Sequence, residues 1–221
     1  YLDGIQGREQ ANTVTMQFIT GYLVEKSLSI DNVFVFLMIF SYFAVPLEHQ
    51  KRALIIGIIG AIILRAILIL VGAWLLATFH WLLYVFGAFL VITGIKMWFA
   101  AGSESDISKN PVLTFLRKHI KLTDKFDGEK LSTMINNTRH YTPLFVVLIM
   151  IAVTDIIFAV DSIPAIFAIT QDPFIVLTAN IFAILGLRAL YFLLADLADR
   201  FHLLAYGLAL VLVFIGTKML I

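Results

Sequence analysis

The sequence predicts an all-α membrane protein made of two inverted three-helix repeats, with its two motif helices broken near the bilayer midplane. Three observations predict it: apolar stretches long enough to cross a bilayer, an acid pair that occurs twice inside them, and matching basic landmarks in the two halves. Of the 221 residues, 61% are hydrophobic and 14% charged, with a mean hydropathy of +0.95. Soluble domains run near about 45–50% apolar and about 25% charged. A net charge of +1 offers no basic surface for nucleic acid. The sequence has no cysteine, which removes disulfides, thiolate metal sites and thiol redox chemistry from these residues.

A spanning helix needs about 20 apolar residues, and six segments qualify: 14–40, 53–79, 81–99, 143–170, 174–195 and 203–221. Short polar breaks separate most of them: Pro46 to Arg52, His80, Gln171 to Pro173, and Asp196 to His202. The stretch 100–142 is different. It opens with Asn110-Pro111, a helix-start signal, and carries Arg117, Lys118, Lys121, Asp124, Asp127 and Glu129, so it is too polar to cross. The chain therefore divides into a first three-helix unit (1–99), a linker (100–142) and a second unit (143–221). Tyr1 in place of Met, and an apolar run reaching Ile221, lead us to expect a piece of a longer protein with further spans outside it.

The two units carry the same landmarks. Leu64-Arg65-Ala66 recurs as Leu187-Arg188-Ala189, and Gly94-Ile95-Lys96-Met97 as Gly216-Thr217-Lys218-Met219; arginine and lysine are 31 residues apart in one half and 30 in the other. Three spans per unit is an odd number, so a non-crossing linker makes the second unit enter from the opposite side, as in transporters built from inverted repeats. Ten Lys and Arg residues fall on the linker side, Lys51, Arg52 and Arg200 among them, against Arg8 on the other. Cytoplasmic loops carry such an excess, which places the linker in the cytoplasm.

Glu25 and Asp31 lie six residues apart in the first span, and Asp155 and Asp161 six apart in the fourth. A charge at bilayer depth costs on the order of 3 kcal/mol on insertion scales, so these acids are expected to be paired, protonated or bound to a cation. Positions i and i+6 are about 240° apart on a regular helix, and only a broken helix turns both carboxylates to one site. Pro164 lacks an amide hydrogen and clashes with the carbonyl of Val160, the expected cause of a break in the fourth span. In the first span Phe34 stands at the matching position, and the candidates there are Ser27 and Ser29 bonding their own backbone.

Hard oxygen donors suit magnesium, calcium and manganese alike. The competing reading is that Arg65 and Arg188 pair with the acids as a structural network. Four carboxylates against Lys26, Arg65 and Arg188 leave one net negative charge, so pairing consumes most of it. Lys96 and Lys218 read as snorkelling to the interfaces, and Trp74, Trp81, Tyr84 and Trp98 as interfacial anchors. Asp124, Asp127 and Glu129 read as a solvated loop, because their spacing fits no calcium loop. No nucleotide-binding glycine loop or nucleophile with an intramembrane histidine is present, so no enzyme is expected.

The segments Glu25-Lys-Ser-Leu-Ser-Ile-Asp31-Asn32-Val-Phe-Val-Phe36 and Phe158-Ala-Val-Asp161-Ser162-Ile-Pro164-Ala165-Ile-Phe-Ala168 resemble the two signature segments of the TerC family. The stretch from Asp172 to Leu193 is similar to its bacterial branch that includes a manganese exporter. The resemblance implies an exporter of Mn²⁺ in the bacterial inner membrane; alternating access in exchange for protons is our own expectation, because burial favours protonated acids and a bound dication favours ionised ones. Mn²⁺ is then the substrate, and no resident cofactor is expected. It implies metal ligands at Glu25, Asp31, Asp155 and Asp161, with oxygens from the adjacent Asn32 and Ser162; Arg65 and Arg188 would position the acids and balance charge. Substrates vary across the family, which takes its name from tellurite resistance and has plant relatives linked to membrane assembly. A tellurite-resistance component and a non-transporting assembly factor or scaffold are the alternatives.

Overall fold

The computed structural model describes residues 5–100, 110–195 and 204–221; the side chains of Asp31 and Arg188 lie outside the described residues. The order of elements is α1 (Ile5–Tyr42), α2 (Leu47–Thr78), α3 (Leu82–Ala100), α4 (Pro111–His119), β1 (Ser132–Ile135), β2 (Thr138–Tyr141), α5 (Pro143–Phe167), α6 (Pro173–Leu185), α7 (Leu187–Ala195) and α8 (Leu204–Leu220). Each of the six expected segments is helical. Among the described residues, four helical stretches are long and apolar enough to cross a bilayer: 47–78, 82–99, 143–167 and 173–193.

The apolar surface faces outward, as lipid requires. On α2, Ile59, Ile63, Ile67, Leu70 and Trp74 are exposed, while Ala53, Ala61, Arg65, Ile69, Gly72 and Leu76 form a buried stripe at helical spacing. Trp81, Tyr84 and Trp98 are exposed as well, as interfacial anchors would be. The linker folds beneath one end of the bundle. Asn110 caps α4, its side chain accepting from the Val112 amide at 2.9 Å with Pro111 at the first helical position. Leu113 and Leu116 bury against the bundle. β1 and β2 pair antiparallel around Asn136 and Asn137, both at positive φ, as a two-residue hairpin turn needs. Glu129 pairs with Arg52 and Asp127 with Lys130, so these two linker acids are matched by nearby cations.

Three apolar clusters fill the bundle, one of them joining Leu90 of α3, Ala165 of α5, and Leu212 and Ile215 of α8; the other two lie at opposite ends. At the linker end Phe36, Phe40, Leu54, Val147, Ile151 and Ile184 pack together; at the other end are Ile69, Leu76, Ile163, Phe167 and Val176. Following each helix through them gives its direction. α2 and α5 run from the linker-end cluster to the far one, and α6 runs back. α1 ends in the linker-end cluster, so α1 and α5 are oppositely directed. α3 and α8 cross most closely at small residues: a Cβ on Gly94 would lie 2.8 Å from the Ala209 carbonyl and from Val213 Cγ2, and one on Gly216 would lie 2.7 Å from the Gly87 carbonyl and 2.9 Å from Val91 Cγ2.

The breaks expected in the motif helices are absent: α1 and α5 run continuously through their acids. Pro164 sits in the last turn of α5, where the helix is about to end and losing one bond interrupts nothing further. Ser27 donates to the Leu23 carbonyl at 2.8 Å, a back-bond that a regular helix accommodates. The break lies instead in the fifth span, at Gly186 between α6 and α7.

Candidate cation site

Between the linker-end cluster and the far one lies a polar layer. On α2, Arg65 falls between the residues of the two clusters; Asp155 on α5 and Asn180 on α6 do the same. Glu25 reaches the layer from α1, and all four side chains are almost fully buried. Arg65 Nη2 donates to Asp155 Oδ1 at 3.0 Å and Nε to Oδ2 at 3.5 Å, while Nη1 donates to the Glu25 carboxylate and to Asn180 Oδ1 at 3.2 Å. Ser162 Oγ donates to Glu25 Oε1 at 3.3 Å. One guanidinium thus faces two buried carboxylates. Asp155 is held at both oxygens, as a fork-shaped donor allows. Glu25 keeps Oε2 without a hydrogen-bond partner.

Beside this layer lies a cavity of about 270 Å³ whose wall is mostly apolar, from Leu28, Met97, Phe158 and Leu212, with polar groups from Glu25, Asn32, Arg65, Thr93, Lys96, Asp161 and Ser162. The volume is several times the roughly 30 Å³ share of one water. Asn32 Oδ1, like Glu25 Oε2, is buried and without a partner. Unpaired buried oxygens are costly, and these two belong to residues that line the cavity.

The sequence-predicted residues therefore separate into groups. Glu25, Asn32, Asp161 and Ser162 share the cavity. Asp155 lies on the far side of Arg65 and does not line it. This follows from the unbroken α5, on which Asp155 and Asp161 point about 240° apart. Asp31 lies on α1 and Arg188 on α7, their side chains outside the described residues. Among the described residues, no group of three or more His, Asp or Glu side chains could by itself close around a metal ion. Sequence reasoning missed Thr93, within hydrogen-bonding reach of Asp161, and Asn180, the neutral partner of Arg65. It also gave Lys96 only an interfacial role, although Lys96 lines the cavity. A threonine three positions before Lys96, on the same face of α3, was the available signal.

The fold and this site define a polytopic integral membrane protein with a charged layer inside its bundle and a cavity beside it. The family model described as "Integral membrane protein TerC family" matches residues 10–221, and the chain belongs to that family. It is 58% identical over 221 residues to Alx of Salmonella typhi, whose name describes a candidate membrane-bound redox modulator, covering 100% of this chain and 69% of that protein. Against Alx of Escherichia coli K12 the identity is 57% with the same coverage. An uncharacterized membrane protein of Myxococcus xanthus is 52% identical over 206 residues, 93% of this chain and 65% of its own length. No solved structure matches.

Proposed function

We propose that this protein is a secondary transporter that exports Mn²⁺ across the bacterial inner membrane by alternating access, in exchange for protons. The observation that carries the reading is the pair of buried, unpartnered oxygens on Glu25 and Asn32, two residues that share one cavity with Asp161 and Ser162. Oxygen donors of this kind suit hard divalent ions, and the choice of manganese rests on the family resemblance. Glu25, Asn32, Asp161 and Ser162 would be ligands, joined by Asp31, with water filling the remaining positions. Asp155 is reassigned: it anchors Arg65, which holds Glu25 in place. Arg188 is proposed as the matching charge of the second unit.

Alternating access is taken to rest on inverted repeats, 1–99 and 143–221, with the 100–142 linker in the cytoplasm. The opposed directions of α1 and α5 support this, and so does the α3–α8 crossing. Pairing Gly94 with Gly216 from the sequence repeat pairs Gly87 with Ala209 and Val91 with Val213. Gly94 meets Ala209 and Val213, and Gly216 meets Gly87 and Val91. Reciprocal contacts of this sort are what a twofold axis produces. Because these 221 residues lack cysteine, a redox role like that in the Alx name would act here through the ion rather than through a thiol.

The test is flux. Purified protein reconstituted in liposomes with a metal-sensitive dye is expected to show saturable Mn²⁺ transport driven by a pH gradient. Glu25→Gln and Asp161→Asn variants that insert normally are expected to abolish it. Full flux in both would remove them as ligands; no flux in the unaltered protein would favour the scaffold reading.

A further inference from the structure

Lys26 follows Glu25 on α1 and points about 100° away from it, toward α6 rather than Arg65. Its ammonium donates to the Ala183 carbonyl at 3.2 Å, in the last turn of α6. It also occupies the place a side chain would take at Gly186, the residue between α6 and α7; a Cβ there would fall on Lys26 Nζ and lie 3.3 Å from Cε. The last carbonyls of a helix lack intrahelical partners and carry a partial negative charge. Where a membrane helix is discontinuous, such an end attracts cations. α6, with 13 residues, is long enough to present one.

We propose that Lys26 is a tethered cation that closes the α6–α7 break, taking the place a free monovalent ion would otherwise fill and fixing α6 against α1. Glycine at 186 is then explained by the side chain it admits. The consequence reaches the site, because α6 carries Asn180, which accepts from Arg65 at 3.2 Å, and Arg65 holds Glu25. Lys26 is a positioning residue, acting on Glu25 through α6, Asn180 and Arg65. α7 is pinned at its middle as well: Tyr191 donates to Gln50 Oε1 at 2.7 Å, and Gln50 Nε2 donates to the Val45 carbonyl at 2.8 Å. The break is thus a joint held from both sides. The proposal deepens the transport reading and rests on it only where flux is concerned.

The experiment is amide hydrogen exchange across 183–190 in the purified, detergent-solubilised protein. Lys26→Met is expected to speed exchange there by on the order of tenfold, with ammonium or methylammonium ions restoring protection in the variant and changing nothing in the unaltered protein. Gly186→Ala, which keeps the lysine but fills its seat, is expected to raise exchange to the same degree. The double variant is expected to add no further increase, since both changes remove one contact. If Lys26→Met does not fold, Gly186→Ala alone decides through the same segment. Unchanged exchange, additive effects, or a loss that small amines do not repair would overturn the assignment. Flux is read in parallel: absence of transport by the unaltered protein would count against the transporter reading, while the exchange result would still judge Lys26.

Discussion

Gly94→Ala and Gly216→Ala test the α3–α8 crossing and its internal symmetry. An added Cβ at Gly94 would sit 2.8 Å from a backbone carbonyl and 3.0 Å from a backbone nitrogen; at Gly216 the corresponding distances are 2.7 and 2.9 Å. Ordinary contact begins near 3.4 Å, so the helices would have to part by roughly 0.6–0.7 Å, and backbone cannot rotate aside as a flexible side chain would. Overpacking of this kind costs about 1–3 kcal/mol, offset by about 0.5–1 kcal/mol from the better helix propensity of alanine. The expected net loss is about 0.5–2 kcal/mol for each variant, and similar for the two. Because both push apart the same pair of helices, room opened for one serves the other, and the double variant should lose less than the sum by about 1 kcal/mol. Gly60 has no heavy atom within 4 Å of an added Cβ, so Gly60→Ala is the control and should be neutral or slightly stabilising. Unfolding of purified protein in detergent reads all four. Alanine tolerated at 94 and 216 as readily as at 60, or strictly additive losses, would refute the crossing.

Arg65→Met strands two buried carboxylates and should lose about 3–5 kcal/mol in the same unfolding assay; adding Glu25→Gln and Asp155→Asn should recover part of it, since no charge is then left unpaired. Tyr191→Phe removes the hydroxyl that donates to Gln50 and should cost about 1 kcal/mol. In the linker, hydrogen bonds from Thr133 and then Lys130 hold the Asp127 carboxyl below its ordinary value of 3.8. Its contribution is therefore present above pH 3.8 and fades as the pH falls through the lower folded value. Asp127→Asn should abolish that acid-side loosening, as followed by amide exchange in the hairpin.

What was legible in the sequence was what depends on local pattern. Six apolar runs, the Asn110-Pro111 helix start and the inward placement of Arg65 all follow from residue type and spacing, and each was found. Pro164 misled because its chemistry is local but its effect depends on position: in the middle of α5 it would have broken the helix, and in the last turn it merely precedes the end. The real break, at Gly186, had no local signal beyond a glycine. It involves a lysine arriving from a helix 160 positions earlier in the chain, a tertiary fact that periodicity cannot carry. Asn180 and Thr93 escaped for the same reason, since their roles are defined by what faces them across the bundle.

The charges of the polar layer bear on the stoichiometry of the proposed exchange. Among the described residues, Arg65 pairs with Glu25 and Asp155 while Asp161 lines the cavity beside them, so three carboxylates against one guanidinium leave two negative charges unmatched in and beside the layer. Lys26 is engaged at the end of α6, and Lys96, though it lines the cavity, is exposed. Isolated charge in a low-dielectric interior is expensive, so each state that crosses the barrier should be close to neutral. One dication changes the charge by the same amount as two protons shared among the proposed acid ligands Glu25, Asp31 and Asp161. The exchange is therefore predicted to be electroneutral, two protons for one Mn²⁺. In liposomes holding potassium gradients and valinomycin, Mn²⁺ flux should follow the pH difference and ignore the imposed potential. Flux that accelerates or reverses with potential at fixed pH would show that charge crosses in one of the two states, and that a further group such as Lys96 belongs in the count.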